Sequence, residues 1–102
     1  MINNTQSISS IKADKRISLY CPIGKDYYTA DVVINFVPGD YYMDYIDLDM
    51  FLNRLSGLSL TIEDAADTIY KELQRYKPQK TKVTVEAFSN THLHVTATKG
   101  DM

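Results

Sequence analysis

Few side chains in this sequence can carry chemistry. There is one cysteine, Cys21, beside Pro22, and two histidines, His92 and His94, one residue apart. A lone cysteine makes no disulfide within its chain and no Cys-based zinc site. It is a small buried hydrophobe, the commoner case, or a reactive thiol. His92-Leu93-His94 on a strand would aim both imidazoles at one face, a plausible metal pair. Zinc takes at least three protein ligands, and Cys21 is far away in sequence, so no metal is expected. Glu63 falls in the first turn of an expected helix, where the dipole favours a charged carboxylate. That is a common structural feature as well as a way to present an acceptor. Eight tyrosines include Tyr27-Tyr28 and the cluster Tyr41, Tyr42 and Tyr45. Such clusters suit an interface, the commoner use, or stacking on a flat base.

The elements that hold these residues follow from periodicity. From Arg16 to Cys21 the chain alternates, with Ile17, Leu19 and Cys21 on one face, as in a half-buried strand. Pro22-Ile23-Gly24-Lys25-Asp26 is a turn. From Tyr27 to Val37 a second strand places Ala30, Val32, Ile34 and Phe36 on one side, so the two runs form a hairpin that Pro38-Gly39-Asp40 ends. A first helix is expected over Asp47 to Ser56, with Leu48, Phe51, Leu52 and Leu55 at helical spacing and Gly57 as its stop. A second begins at the N-cap Thr61, with Asp64 three residues on, and carries the stripe Ile62, Ala65, Ala66, Ile69, Leu73 and Tyr76 up to Pro78. Lys82 to Phe88 and Leu93 to Ala97 alternate again, with a turn at Ser89-Asn90. The order β-β-α-α-β-β predicts a two-layer α+β domain, a four-stranded antiparallel sheet with both helices on one face. Its two edge strands need covering, which other copies of the chain can do.

At 102 residues the chain is one domain, expected over residues 15–100, with residues 1–14 as a flexible N-terminal arm. The composition is that of an ordinary globular protein, 44% hydrophobic and 24% charged. A net charge of -2 argues against nucleic acid, which favours a basic face, and no direct DNA binding is expected. No apolar run is long enough to span a membrane, and Met1 to Ser10 lacks the basic and apolar regions of a signal peptide, so a cytoplasmic location is expected.

The order of elements at this length resembles the T-fold enzymes that bind pterins and purines. Within them the sequence resembles the 7-cyano-7-deazaguanine (preQ0) reductase family, which acts on a precursor of queuosine. The match rests on Ser18-Leu19-Tyr20-Cys21-Pro22, Val37-Pro38 and Ile62-Glu63-Asp64 in that order, and extends over residues 16–98. The resemblance implies that Cys21 is a nucleophile, that Glu63 holds the base, and that the chain works as a homo-oligomeric ring with sites at subunit interfaces. The chemistry is coherent: a thiolate adds to the electrophilic nitrile carbon to give a covalent thioimide. One carboxylate can accept both adjacent N–H groups of a guanine-like base.

The sequence also departs from that family. An Asp seven residues after the nucleophile gives a proton to the substrate nitrogen there; here that position is Tyr28. Asp26 can take the role if the turn is tighter, and Asp31 is the other nearby acid. The reductases carry a Glu-Ser-Lys-Ser-like stretch that meets NADPH. Here Asp44-Tyr45-Ile46-Asp47-Leu48-Asp49 has no lysine and three acids, which repel a 2′-phosphate. The His before the family's Glu is Ile62. These losses resemble the NADPH-independent relatives that let ammonia attack the thioimide and form an amidine on the way to archaeosine. No cofactor is then expected; NADPH belongs to the reductase alternative. A third alternative is a non-catalytic or pterin-type T-fold, of the aldolase or epimerase kind, which uses the Glu and needs no cysteine.

Overall fold

The computed structural model describes residues 1–88 and 93–100. Its elements are β1 (Ile2–Asn3), β2 (Ile11–Cys21), β3 (Asp26–Val37), β4 (Tyr41–Tyr42), α1 (Tyr45–Leu55), α2 (Ile62–Gln74), β5 (Lys80–Phe88) and β6 (Val95–Gly100). The main sheet has the order β2-β3-β5-β6 with every pair antiparallel. One face of it carries the core. Ile17, Leu19, Ala30, Val32, Ile34, Phe36, Val83 and Val85 are buried there, as the period-two alternation requires. Against them pack Leu48, Leu52 and Leu55 of α1 and Ile62, Ala65, Ala66, Ile69 and Leu73 of α2. The expected two-layer architecture is the observed one.

The differences lie at element ends. The loose arm expected over residues 1–14 is paired as strand at Ile2–Asn3 and from Ile11 onward. Strand β2 starts at Ile11, where Ile11 pairs with Phe36 and Ala13 with Ile34, and Ile2–Asn3 pairs with Tyr41–Tyr42. Ile11 and Ala13 alternate weakly among Lys12, Asp14 and Lys15, so their pattern is faint, but Ile2, Ile11 and Ala13 all pack on the core. Helix α1 begins at Tyr45, two residues before the expected Asp47, because the Asp44 side chain accepts from the Ile46 N–H at 2.8 Å and caps it there. The last strand runs from Val95 to Gly100, later than the expected Leu93 to Ala97. The turn expected at Ser89-Asn90 lies outside the described residues.

One edge is shorter than expected. The α1–α2 connection runs beside β2 as a strip of backbone hydrogen bonds: Gly57 N–H to Ser18 O at 2.7 Å, Tyr20 N–H to Leu58 O at 2.9 Å and Leu60 N–H to Tyr20 O at 3.0 Å. The Ser18–Tyr20 part of the β2 edge is thus covered within the chain, and α2 begins immediately after the strip. At its start the Thr61 hydroxyl oxygen accepts from the Asp64 N–H at 3.1 Å. Thr61→Ala removes that cap and is expected to lower stability by about 1 kcal/mol. Urea unfolding of the two proteins, with an unchanged slope, measures it.

Candidate active site

The β2–β3 hairpin is closed by four residues, Pro22 to Lys25, so that Cys21 and Asp26 are direct cross-strand partners. The Lys25 N–H donates to the Cys21 carbonyl at 2.8 Å and Lys25 takes a left-handed φ of 55° to close the turn. The same turn aims the Gly24 N–H at Cys21 Sγ, 3.3 Å away. Negative charge developing on the sulfur would strengthen that bond. Cys21 is half-buried, the condition of a reachable rather than a sealed sulfur.

Alternation puts Cys21, Asp26 and Tyr28 on the helix-facing side of the sheet, at its open end. The N-terminus of α2 sits above that end. Together they wall a cleft of about 590 Å³, with Cys21, Asp26, Tyr28 and Glu63 along it and Leu93 and Val95 at the β6 side. That volume is typical of small-molecule sites. Thus the structure brings Cys21 and its hairpin neighbour Asp26 to one cavity with Glu63, which is far from both in sequence. Asp26 is exposed, and one of its carboxylate oxygens accepts from the Tyr27 N–H at 2.8 Å. Glu63 is exposed in the single chain. Three large apolar neighbours in the cleft wall are exposed too: Ile23 by 81%, Tyr27 by 63% and Leu93 by 70%. Lys25 is not among the lining residues; the Gly24 N–H is the group on the sulfur.

Asp31 points away from this cleft. It lies on the opposite face of β3, bound by Arg16 at 2.7 and 3.1 Å, and that hydrogen-bonded guanidinium holds its carboxyl below the ordinary range. Tyr28, by contrast, belongs to the cleft. Its hydroxyl donates to the Leu60 carbonyl at 2.5 Å. Burial first, then the negative charge of Cys21, Glu63 and Asp64, pushes its phenol up to about 12. Neither the Gly24 donor nor the Tyr28–Leu60 bond has a local sequence signal, since each depends on how the turn or the α1–α2 connection folds back.

Other candidates fall elsewhere. The Asp44 to Asp49 stretch forms the start of α1 and is not part of the cleft wall. Asp44 is committed to its cap and Asp49 to Lys15, so this stretch presents acids, not cations, and does not fit a nucleotide 2′-phosphate. His94 pairs with Glu86 at 2.6 Å, while His92 lies outside the described residues. Among the described residues no group of three His, Cys, Asp or Glu side chains is placed to hold a metal ion. No described helix is long and apolar enough to cross a membrane.

No protein-family model matches the sequence, and no curated protein does. Its fold, however, is found among solved structures. The crystal structure of the archaeosine synthase QueF-Like in the apo form superposes with a TM-score of 0.85, covering 92% of this chain and 94% of that one at 19% sequence identity. The chain therefore has the T-fold, with the expected β-β-α-α-β-β order. At that identity the likeness establishes the fold alone.

Tyr28 gives the site a pH signature. The folded chain holds the phenol proton more tightly than the unfolded chain, whose tyrosine ionises near 10.0. The stabilisation is complete below that pH and is lost as pH rises towards 12. Between pH 10 and 12 the melting temperature of the native chain should therefore fall more steeply than that of Tyr28→Phe. Parallel curves would show that Tyr28 is not held protonated in the cleft.

Proposed function

We propose that this chain is a cytoplasmic enzyme of deazapurine metabolism that acts on the nitrile of 7-cyano-7-deazaguanine through Cys21. The observation that carries the reading is the meeting of Cys21, Asp26 and Glu63 in one cleft, on a fold shared with an archaeosine synthase. In the first step the Cys21 sulfur bonds to the nitrile carbon. The triple bond becomes a C=N double bond, and a proton passes to the nitrogen. In this reading Asp26 delivers it; its place as the cross-strand neighbour of Cys21 supports the role. Glu63 accepts hydrogen bonds from the N–H groups of the base. In the second step ammonia adds to the thioimide carbon and the sulfur leaves, giving an amidine and the free thiol. The acids at the start of α1 and the missing lysine favour this route over reduction by NADPH.

The same reading requires other copies of the chain. An exposed Glu63 is a weak anchor in water, because the base must compete with solvent for it. A neighbour packed over Ile23, Tyr27 and Leu93 would close the cleft and strengthen every polar contact inside it. We therefore place the active form in a homo-oligomer whose sites lie at subunit interfaces. A monomer in light scattering at micromolar concentration would contradict this part.

Intact-mass measurement tests the chemistry. With 7-cyano-7-deazaguanine the native protein should gain the mass of one substrate per chain, and Cys21→Ala should gain none while keeping its fold. Absence of an adduct on the native protein overturns the proposal. If Cys21 were instead only a packing residue, the alanine variant would lose about 1–2 kcal/mol of stability. Glu63→Gln replaces an acceptor with a donor and should weaken base binding by about 2–4 kcal/mol. Calorimetry with Cys21→Ala as the background measures that binding without the covalent step.

A further inference from the structure

Tyr28 is the cleft residue that the proposed chemistry leaves without a task. Its position is unusual in what it connects. Leu60 is held at both polar groups of its backbone, its N–H by the Tyr20 carbonyl of β2 at 3.0 Å and its carbonyl by the Tyr28 hydroxyl of β3 at 2.5 Å. The next residue, Thr61, caps α2, and Glu63 follows in the first turn. The backbone hydrogen bonds that tie the Gly57 to Leu60 strip to the sheet all run to the outer edge of β2. An attachment along one edge permits the helix start to pivot about that edge. A second bond from the next strand inward blocks the pivot.

We propose that Tyr28 is a positioning residue: its hydroxyl clamps the Leu60 carbonyl and so fixes the start of α2, with Glu63, over Cys21 at the end of the β2–β3 hairpin. This inference rests on the function proposed above. The residue type suits the task. An acid at this position would place another negative charge near Glu63 and Asp64 and beside the Cys21 sulfur, whereas a phenol that stays protonated bonds without adding charge. The Tyr28 hydroxyl proton is committed to Leu60, so it is not the proton that reaches the substrate nitrogen. That task stays with Asp26. If Glu63 sets where the base lies and Cys21 must reach the nitrile carbon, a shift of about 1 Å between them is costly in rate.

The test is the rate of adduct formation with 7-cyano-7-deazaguanine, followed by mass or absorbance across substrate concentration and pH. Tyr28→Phe keeps the ring and the backbone strip and loses only the clamp. The maximal rate of adduct formation should fall about tenfold or more. The half-saturating concentration should stay within about threefold, because Glu63 still binds the base. The pH–rate profile should keep its shape at reduced height. Rates are taken at a temperature where circular dichroism shows both proteins fully folded, and Tyr28→Met, which also lacks the hydroxyl, should show the same loss. An unchanged maximal rate in either folded variant overturns the inference while leaving the function standing. So does a profile whose limb disappears, which would make Tyr28 the proton donor. No adduct on the native protein overturns the function and this inference together.

Discussion

The site depends on one short strip of backbone pairing. Gly57, Leu58 and Leu60 bond to Ser18 and Tyr20 on the outer edge of β2, and through them the α1–α2 connection is carried to the end of the hairpin. Without the strip α2 would still bury Ala65, Ala66, Ile69 and Leu73 against the sheet, because that apolar stripe supplies the packing. Packing of a stripe leaves a helix some freedom to slide and tilt. The strip stops the sliding and sets how far along β2 the first turn of α2 lies, and the Tyr28–Leu60 bond limits the tilt. Glu63 is therefore placed by the partner of a neighbouring strand rather than by the core. The same bonds satisfy edge groups of β2 that would otherwise be open to another chain.

The hairpin has a complementary constraint. Its four-residue turn leaves little choice of register, so Asp26 must stand opposite Cys21. The turn is made possible by Lys25 at positive φ and by the hydrogen bond of its N–H to the Cys21 carbonyl. Closing the chain this tightly also brings the Gly24 N–H to the sulfur. Geometry at the Cys21 sulfur is thus a by-product of turn closure, as the geometry at Glu63 is a by-product of edge pairing. Two local backbone features meet at one cleft, and the Tyr28–Leu60 bond ties one to the other.

Much of this was legible in the sequence, for identifiable reasons. Alternation in Ala30, Val32, Ile34 and Phe36 assigns a face because a strand has only two, and those four residues are buried. The start of α2 was legible because Thr61 caps it in the expected way. The start of β2 was not, since Ile11 and Ala13 sit among charged residues and are held by pairing with β3. Nor was the start of α1, where Tyr45 belongs to a run of tyrosines that reads as loop until Asp44 is seen to cap it. Around the cleft, Cys21 and Glu63 were singled out through a resemblance of short motifs and Asp26 as an acid near the expected turn, and the fold brings the three to one cavity. The Gly24 donor and the Tyr28 clamp were not, because both are bonds between segments whose proximity only the fold creates.

The exposure of the cleft carries the remaining argument. A fold that packs Leu19, Ala30 and Ile69 with no exposure at all has no lack of burying power, yet it leaves Ile23 and Leu93 largely in water beside its acids. Leu93 precedes β6, an edge strand of the main sheet. Among the described residues no further strand pairs with the outer edge of β6. In the oligomer proposed above, a neighbouring copy would supply both a strand edge and apolar surface. It would also desolvate Glu63 at the moment a base is bound, so that a carboxylate exposed in the single chain becomes a strong acceptor only in the assembled one. Assembly and catalysis would then be set by the same surface, because the exposed residues Ile23, Tyr27 and Leu93 line the cleft that holds the Cys21 sulfur.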